Sequence, residues 1–576
     1  MKNRELAKIF REISEYLAME GVRFKPYAYE KAALVLESLE GDVAALYRQG
    51  GVNALKGLPG VGENIAKKIE EYLTTGKLGY YDELKKKMPV ELDELVRVEG
   101  LGPRRARVLY ESLRITNLEE LEAAARAGRI APLPGFGEKT ERMLLEGIAF
   151  LRQDRGRFLL GEVIPLARGI LESLRELEEV EKVETAGSLR RWRETIGDLD
   201  FLAVSGNPGP VMERFVTLPG VVRVWGRGET RSSVRMKEGI DADLRVVPPE
   251  SYGAALQYFT GSKDHNIALR KMALEKGYKL NEYGLFRQSE AVAGETEEAV
   301  YEKLGLPWIP PELRENRGEI DAALSGRLPR LVRREDLRGD LHVHSDWDGG
   351  ADSIEDIAEA AMDMGYAYVG IADHTKYLRI ERGLDEKRLS ERNGAIDRLN
   401  GTLQAAGRSF RVLKGCEANI LADGSLDIDD EALAELDFVI AGIHSHFKMA
   451  EDEMTKRVIR ALRNPHVDIL SHPTGRLLKR RDAYAVNFGK ILEVAAKTGT
   501  ALEINAWHER LDLNDENIRR ARDGGVAMVV NSDAHRLDQL ETVAYGVAQA
   551  RRGWAEKKHI LNALPLETLL RRLHKA

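Results

Sequence analysis

Residues 187–200 read Gly187-Ser188-Leu189-Arg190-Arg191-Trp192-Arg193-Glu194-Thr195-Ile196-Gly197-Asp198-Leu199-Asp200, a glycine-serine turn and paired arginines leading to two aspartates one residue apart. The apolar run Leu199–Val204 marks a strand, where alternate side chains share a face, so Asp198 and Asp200 point the same way. Two carboxylates that close repel each other unless a divalent cation lies between them. Asp243, in Asp243-Leu244-Arg245-Val246-Val247, offers a third carboxylate on another apolar strand. Three carboxylates suit two Mg²⁺ or Mn²⁺ ions that activate a hydroxyl and stabilise a departing pyrophosphate. Gly187-Ser188 with Arg190 and Arg191 adds a close-approach turn and cations for a triphosphate.

Outward from this stretch the pattern changes. Short β-like runs at Val221–Trp225 and Ala242–Val247 surround it, and residues 251–300 are mixed. Residues 1–150 read as helices: Leu6, Ile9, Phe10, Ile13 and Leu17 recur at helical spacing, as do Ile65, Ile69 and Leu73. A short element repeats there as Leu58-Pro59-Gly60-Val61-Gly62, Val98-Glu99-Gly100-Leu101-Gly102 and Leu133-Pro134-Gly135-Phe136-Gly137. Lys67 and Lys68, then Arg104, Arg105 and Arg107, then Lys139 follow the three copies. Glycines allow a turn with positive φ and bring amides at the next helix N-terminus within reach of an anion. The element resembles the helix-hairpin-helix motif, which grips the sugar-phosphate backbone without reading sequence. That resemblance implies DNA contacts at Gly60, Gly62, Gly100, Gly102, Gly135, Gly137 and Arg104.

The Gly-Ser turn, the Asp-x-Asp and the downstream aspartate together resemble the nucleotidyltransferase superfamily. Tyr258-Phe259-Thr260-Gly261-Ser262, then Asn266, Arg270 and Leu280-Asn281-Glu282-Tyr283-Gly284-Leu285, resemble the thumb of family X DNA polymerases. The resemblance spans residues 1–318. It implies that Asp198, Asp200 and Asp243 are metal ligands, with Asp243 accepting the primer hydroxyl proton. It places Gly187, Ser188 and Arg191 at the triphosphate, and Tyr258, Phe259, Gly261, Lys263 and Asn266 around the incoming nucleotide. Tyr258 lines the sugar pocket, and Arg270 meets the template strand. Lys263 stands where the beta enzyme has an acid, which implies different nucleotide handling. Lys25 matches a 5′-phosphate-binding lysine. Lys68 matches a Schiff-base lyase lysine, or is a plain phosphate contact, and Asn64 replaces a second lysine of that domain.

The C-terminal half has other chemistry. Residues 1–334 hold equal numbers of basic and acidic side chains, so the whole net charge of −7 lies beyond them. His265 is the one histidine of the first 334 residues, out of 12 in the chain. Apolar strands Tyr368–Ala372, Phe438–Gly442, Ile469–Ser471, Ala501–Asn505 and Ala527–Asn531 alternate with helical stretches, a pattern for a parallel α/β barrel. Histidines and acids follow these strands: His342 and His344, then Asp373-His374, Glu417, His444, His472, Asp533 and His535. Such a set at successive strand ends points to a polynuclear metal centre of Mn²⁺, Zn²⁺ or Fe²⁺, two to three ions that activate water for phosphoester hydrolysis.

This half resembles the PHP (polymerase and histidinol phosphatase) domain over residues 336–576. The resemblance implies the ligands His342, His344, His374, Glu417, His444, His472, Asp533 and His535. Its ninth ligand position falls on Gly349, and Asp348 one residue earlier is carried in its place. His446 is extra. Arg476, close after His472, either meets a phosphate or is a surface arginine.

The expected architecture is multidomain: an all-α helix-hairpin-helix region, an α+β nucleotidyltransferase palm and thumb, and a C-terminal α/β PHP barrel of distorted TIM-like form. The expected divisions are 1–85 and 86–150 (hairpin domains), 151–250 (palm), 251–318 (thumb), 319–335 (linker) and 336–576 (PHP), with Pro307 to Pro329 read as an extended crossing segment. The implied activity is DNA polymerisation at short gaps in repair, on primed or gapped duplexes with a 5′-phosphate and with dNTPs, plus 3′–5′ exonuclease action by the PHP half. The alternatives are a barrel that is a structural platform or a small-molecule phosphatase. One cysteine, Cys416, excludes a disulfide framework. No apolar run approaches a bilayer span. A monomeric, soluble, cytoplasmic protein without membrane contact is expected.

Overall fold

The computed structural model describes the chain outside residues 1, 23–24, 39–42, 59–60, 97, 99–100, 154–155 and 574–576. Its described residues form two compact units, Met1–Arg155 and Gly156–Ala576.

The first unit is helical. Leu6, Phe10, Ile13, Leu17, Ile65 and Ile69 are buried as their spacing predicts, while Ile9 and Leu73 are half-buried. One apolar core runs from Leu6 to Ile148, and Tyr16 Oη donates to the Val90 carbonyl at 2.9 Å. The helical stretches on the two sides of the expected division at 85/86 share this core. Gly62 and Gly102 are the N-cap residues of helices Glu63–Thr75 and Pro103–Leu113. They are extended, at φ −77° and −83°, and not in the positive-φ turn expected of them. Gly135 does take φ +81°. Gly60 and Gly100 lie outside the described residues.

In the second unit, strands β1 (Lys182–Thr185), β2 (Asp198–Val204), β3 (Val221–Arg227), β4 (Arg231–Met236) and β5 (Asp241–Val247) form a sheet of order β1-β2-β5-β4-β3. Only the central β2–β5 pair is parallel. Helices Leu160–Arg175 and Pro208–Val216 bury Ile170, Phe215 and their neighbours against Phe201 and Leu244. β4 carries no motif and was not anticipated in sequence. Helices Tyr252–Thr260 and Lys263–Glu275 follow, then an antiparallel meander of β6 (Lys279–Asn281), β7 (Gly284–Arg287) and β8 (Glu290–Ala293).

The stretch Pro307 to Pro329 is not an extended crossing throughout, since Pro311–Leu313 forms a 3-10 turn. Residues Glu319–Leu324 are helical, and Ala322, Ala323 and Leu331 are buried in one cluster with Leu269 and Trp554. Apolar burial thus welds residues 251–318 to the C-terminal half.

There, β9 (Gly339–Val343), β10 (Tyr368–Ile371) and β11 (Arg411–Lys414) pair in parallel. So do β12 (Glu417–Asn419), β13 (Ile440–Gly442), β14 (Ile469–Leu470), β15 (Ala501–Asn505) and β16 (Met528–Asn531). Parallel bridges His374–Glu417 and Val343–Ala534 link the two sheets, an arrangement consistent with the expected barrel. Leu511 of this half is fully buried in the core of the β1–β5 domain. Among the described residues no helix is long and apolar enough to cross a membrane.

Two candidate metal centres

The first centre stands on the parallel pair. Register places Asp200 beside Asp243, and ligand oxygens of Asp198, Asp200 and Asp243 all lie within 4.8 Å of one another. Crowding shows in their acidity. Burial, then the charges of Asp198 and Asp243, push Asp200 up to about 7, and burial and Asp243 raise Asp198. Ser233 Oγ donates to Asp243, and Arg231 stands 3.6 Å from it. Gly187 has φ +57°, and the Asp200 carboxylate occupies the space a Cβ would need. Only glycine lets the turn approach the carboxylates.

The nucleotide-site residues divide. Ser188 Oγ is buried with no hydrogen-bond partner, an acceptor-seeking hydroxyl beside the aspartates. Arg191 Nε donates to Glu315 Oε1 at 3.2 Å, and its Nη1 donates to the Thr260 carbonyl. Arg190 makes a bidentate pair with Glu297 at 2.8 and 2.9 Å, a carboxylate that also accepts from Arg314 Nη1 at 2.6 Å, so its guanidinium is held against Glu297 and the expected pair of triphosphate cations reduces to Arg191. Tyr258 and Phe259 pack edge to face at 5.1 Å, and Gly261 follows at φ +72°. Asn266 is buried and donates to the Tyr258 carbonyl at 2.7 Å, so it holds the aromatic pair in place. Lys263 and Arg270 are exposed on helix Lys263–Glu275. In the other unit, Lys25 and Arg104 are exposed, and Lys68 Nζ lies 4.8 Å above the Tyr80 ring.

The second centre sits at the strand ends of the barrel, and Glu417 is its hub. Oε2 of Glu417 lies 2.9 Å from His374 Nδ1 and 3.3 Å from His342 Nε2, while Oε1 lies 3.0 Å from His472 Nε2 and 3.3 Å from His444 Nε2. Asp533 Oδ1 faces His344 Nε2 at 3.3 Å, and the His344 and His535 rings stack at 4.0 Å. His342 Nε2, His344 Nε2, His374 Nδ1, His444 Nε2 and Glu417 Oε2 are buried without hydrogen-bond partners. Buried lone pairs converging unpaired are costly unless a cation accepts them, so this donor set fits divalent metal ions. Without ions, burial would lower His344, but Asp348 and Asp533 reverse that and hold it up at about 10. Burial takes His444 and His535 down to about 4. His472 and Asp533 adopt φ +27° and +57°, strain of the kind that collects at working sites.

Asp348 is fully buried, but its Oδ2 meets the outer nitrogen of His344, Nδ1, at 2.8 Å and accepts the His374 N–H at 2.8 Å. It orients a ligand whose Nε2 faces the centre, and its ligand oxygen also lies within 4.8 Å of ligand atoms of His344 and Asp373, a second group able to hold a metal ion. At Gly349 a Cβ would meet the carboxylate tip of Glu381, which would have to swing aside to admit a side chain. His446 is exposed and outside the cluster. Arg476 is neither on the surface nor aimed at the centre: it is paired with Glu194 at 2.5 and 3.1 Å.

Glu503, fully buried in β15, and Asn419, in β12, were missed. They hold His342 Nδ1 and His444 Nδ1, each at 2.7 Å. The signal for Glu503 was present: a lone carboxylate inside the apolar run Ala501–Asn505.

Comparison with known proteins agrees with this layout. The helix-hairpin-helix domain matches residues 1–78, the SAM-like helix-hairpin-helix tandem 92–149, the DNA polymerase beta thumb 255–315 and the PHP domain 340–506. These are the parts of a family X polymerase joined to a PHP domain. The chain is 38% identical over 572 residues to the DNA polymerase/3′-5′ exonuclease PolX of Bacillus subtilis, covering 98% of each, and it belongs to that family. It is also 27% identical to DNA polymerase lambda of Arabidopsis thaliana over 355 residues, 54% of this chain and 62% of the other. A probable phosphatase of Syntrophotalea carbinolica is 32% identical over 170 residues, 29% of this chain and 64% of the other.

Proposed function

We propose that the chain is a DNA-directed DNA polymerase that fills short gaps in repair and trims 3′ ends with its PHP half. The observation that carries the first activity is the Asp198–Asp200–Asp243 triad across β2 and β5, with the Gly187 turn against it. Mg²⁺ or Mn²⁺ held there would lower the cost of ionising a primer 3′-hydroxyl and of releasing pyrophosphate. Asp243 would take the hydroxyl proton, and its position among the three carboxylates supports that role. Ser188 and Arg191 hold the triphosphate, and Tyr258 with Phe259, fixed by Asn266, form the wall against the sugar. The hairpin glycines, Lys25, Lys68 and Arg104 bind the duplex backbone, with the 5′-phosphate at Lys25.

The second activity rests on unpaired ring nitrogens around Glu417. Two to three Mn²⁺, Zn²⁺ or Fe²⁺ ions there would supply an activated water for phosphodiester cleavage. His342, His344, His374, Glu417, His444, His472, Asp533 and His535 hold them, and Asp348, Glu503 and Asn419 orient the imidazoles. The protein is read as a cytoplasmic monomer.

A labelled primer at a one-nucleotide gap with a 5′-phosphate tests both, with Mn²⁺ and with or without dNTPs. Extension is expected to vanish in Asp198→Ala/Asp200→Ala, and shortening in His342→Ala/His344→Ala. Shortening that survives the histidine variant sinks the exonuclease assignment.

A further inference from the structure

The turn that follows Gly187 rests on one helix of the PHP half, Val543–Arg552. Tyr545, Gln549 and Arg552 are spaced i, i+4, i+7 and share a stripe of that helix. The Tyr545 ring lies 6.4 Å from that of Trp192, and Gln549 Nε2 donates to the Trp192 carbonyl at 3.4 Å. Arg552, 5% exposed, donates from Nη1 to the Arg191 carbonyl at 2.8 Å.

The side chains continue the link. Arg552 Nη1 reaches Glu315 Oε1 at 3.0 Å, and Nη2 reaches Asp515 Oδ2 at 2.6 Å. Glu315 Oε1 is the same atom that accepts from Arg191 Nε at 3.2 Å, and Arg193 Nη1 stands 3.7 Å from it. Arg317 shares Asp515 at 3.2 Å and reaches exposed Glu516 at 3.5 Å. Arg191, Arg193, Arg317 and Arg552 thus outnumber the carboxylates they share, and a surplus of positive charge remains behind the nucleotide turn.

We propose that Arg552, in the PHP half, is a positioning residue for the polymerase half: by sharing Glu315 it keeps Arg191 from being fully neutralised and leaves it able to bind a triphosphate. This rests on the reading of Arg191 as a triphosphate ligand. Without Arg552, Glu315 has one fewer cation to satisfy it, binds Arg191 harder and cancels more of the field an anionic nucleotide meets. The PHP helix thereby sets nucleotide affinity from behind the turn that carries Arg191.

Single-nucleotide gap filling by the full chain, with kcat and KM for dNTP resolved, tests this. Arg552→Ala should raise KM about tenfold with kcat within about twofold, because uniform binding is lost. Removing the excess negative charge as well, in Arg552→Ala/Glu315→Gln, should bring KM back toward the wild-type value, whereas a merely structural role predicts no rescue. Arg552→Lys should keep KM within about threefold, since the charge is retained. 3′ shortening by Arg552→Ala without dNTPs should be unchanged. Should Arg552→Ala fail to fold, Asp515→Asn, which frees Arg552 to engage Glu315, should lower KM. A wild-type KM in Arg552→Ala or in Asp515→Asn, or no rescue by Glu315→Gln, overturns the inference. Arg191→Ala separates the two levels: a wild-type KM there removes the triphosphate reading itself, while a raised KM beside an unaffected Arg552→Ala removes the Arg552 role alone.

Discussion

Glu503 Oε1 lies 2.7 Å from His342 Nδ1, and its Oε2 accepts the backbone N–H of His472 at 2.8 Å. One buried carboxylate therefore fixes the ring of one ligand and the backbone of another. Glu503→Gln keeps the shape but removes the charge that favours a correctly oriented imidazole. The expected loss is about 10- to 100-fold in Mn²⁺ affinity of the barrel centre. Titrating 3′ shortening with Mn²⁺ checks it, with extension as the control. An unchanged titration would deny Glu503 an orienting role.

Gly187→Ala should cost extension about 100-fold, the scale of an ångström-level misplacement at a reacting centre. The added Cβ collides with the Asp200 carboxylate, and the residue must hold φ +57° besides. The barrel lies elsewhere, so shortening should persist. Full extension by the variant would mean that the turn and Asp200 are not tightly coupled.

Without metal, stability should fall as pH rises through the range where Asp200 ionises. Its carboxyl is pushed from the usual 3.8 up to about 7, by burial first and by Asp198 and Asp243 next. A carboxyl whose pKa is raised on folding favours the native state below its unfolded value, and that contribution is lost above its folded one. The unfolding midpoint in EDTA should therefore drop between roughly pH 5 and 8, more in the wild type than in Asp200→Asn. Mg²⁺ should restore it most at the alkaline end, where no proton has to leave. Parallel pH curves for the two proteins would refute the linkage.

Arg476 and Glu194 join the palm to the barrel by a bidentate pair. Glu194→Ala leaves the Arg476 guanidinium largely enclosed without its partner, at a cost of about 3 kcal/mol. Adding Arg476→Ala should recover part of that, because no unpaired charge is left behind. Chemical unfolding of the single and double variants measures both. A double variant no more stable than Glu194→Ala would show that the pair contributes packing rather than charge matching.

What could be read from the chain itself was whatever depends on local pattern. Asp198 and Asp200 share a face because strands alternate, and the apolar runs of the barrel show where strands end and ligands begin. Resemblance supplied the roles of residues such as Tyr258 and Asn266. Tertiary structure decided the rest. Arg190 and Arg191 are neighbours with like side chains, yet Glu297, 107 residues away, grips one by both oxygens, while Arg191 meets a single oxygen of Glu315 that Arg552 also uses. Asp348 turned toward the outer nitrogen of His344, and Arg476 toward Glu194, because charges buried on folding take the partner that packing brings within reach. Residues 319–335 read as a linker because Pro329 and their charges conceal a short apolar face, which became core once Trp554 met it. Alternation and spacing are properties of a chain segment and are legible in sequence. Which charge is matched, and which is left free to meet a ligand, depends on segments hundreds of residues apart, and folding alone sets that.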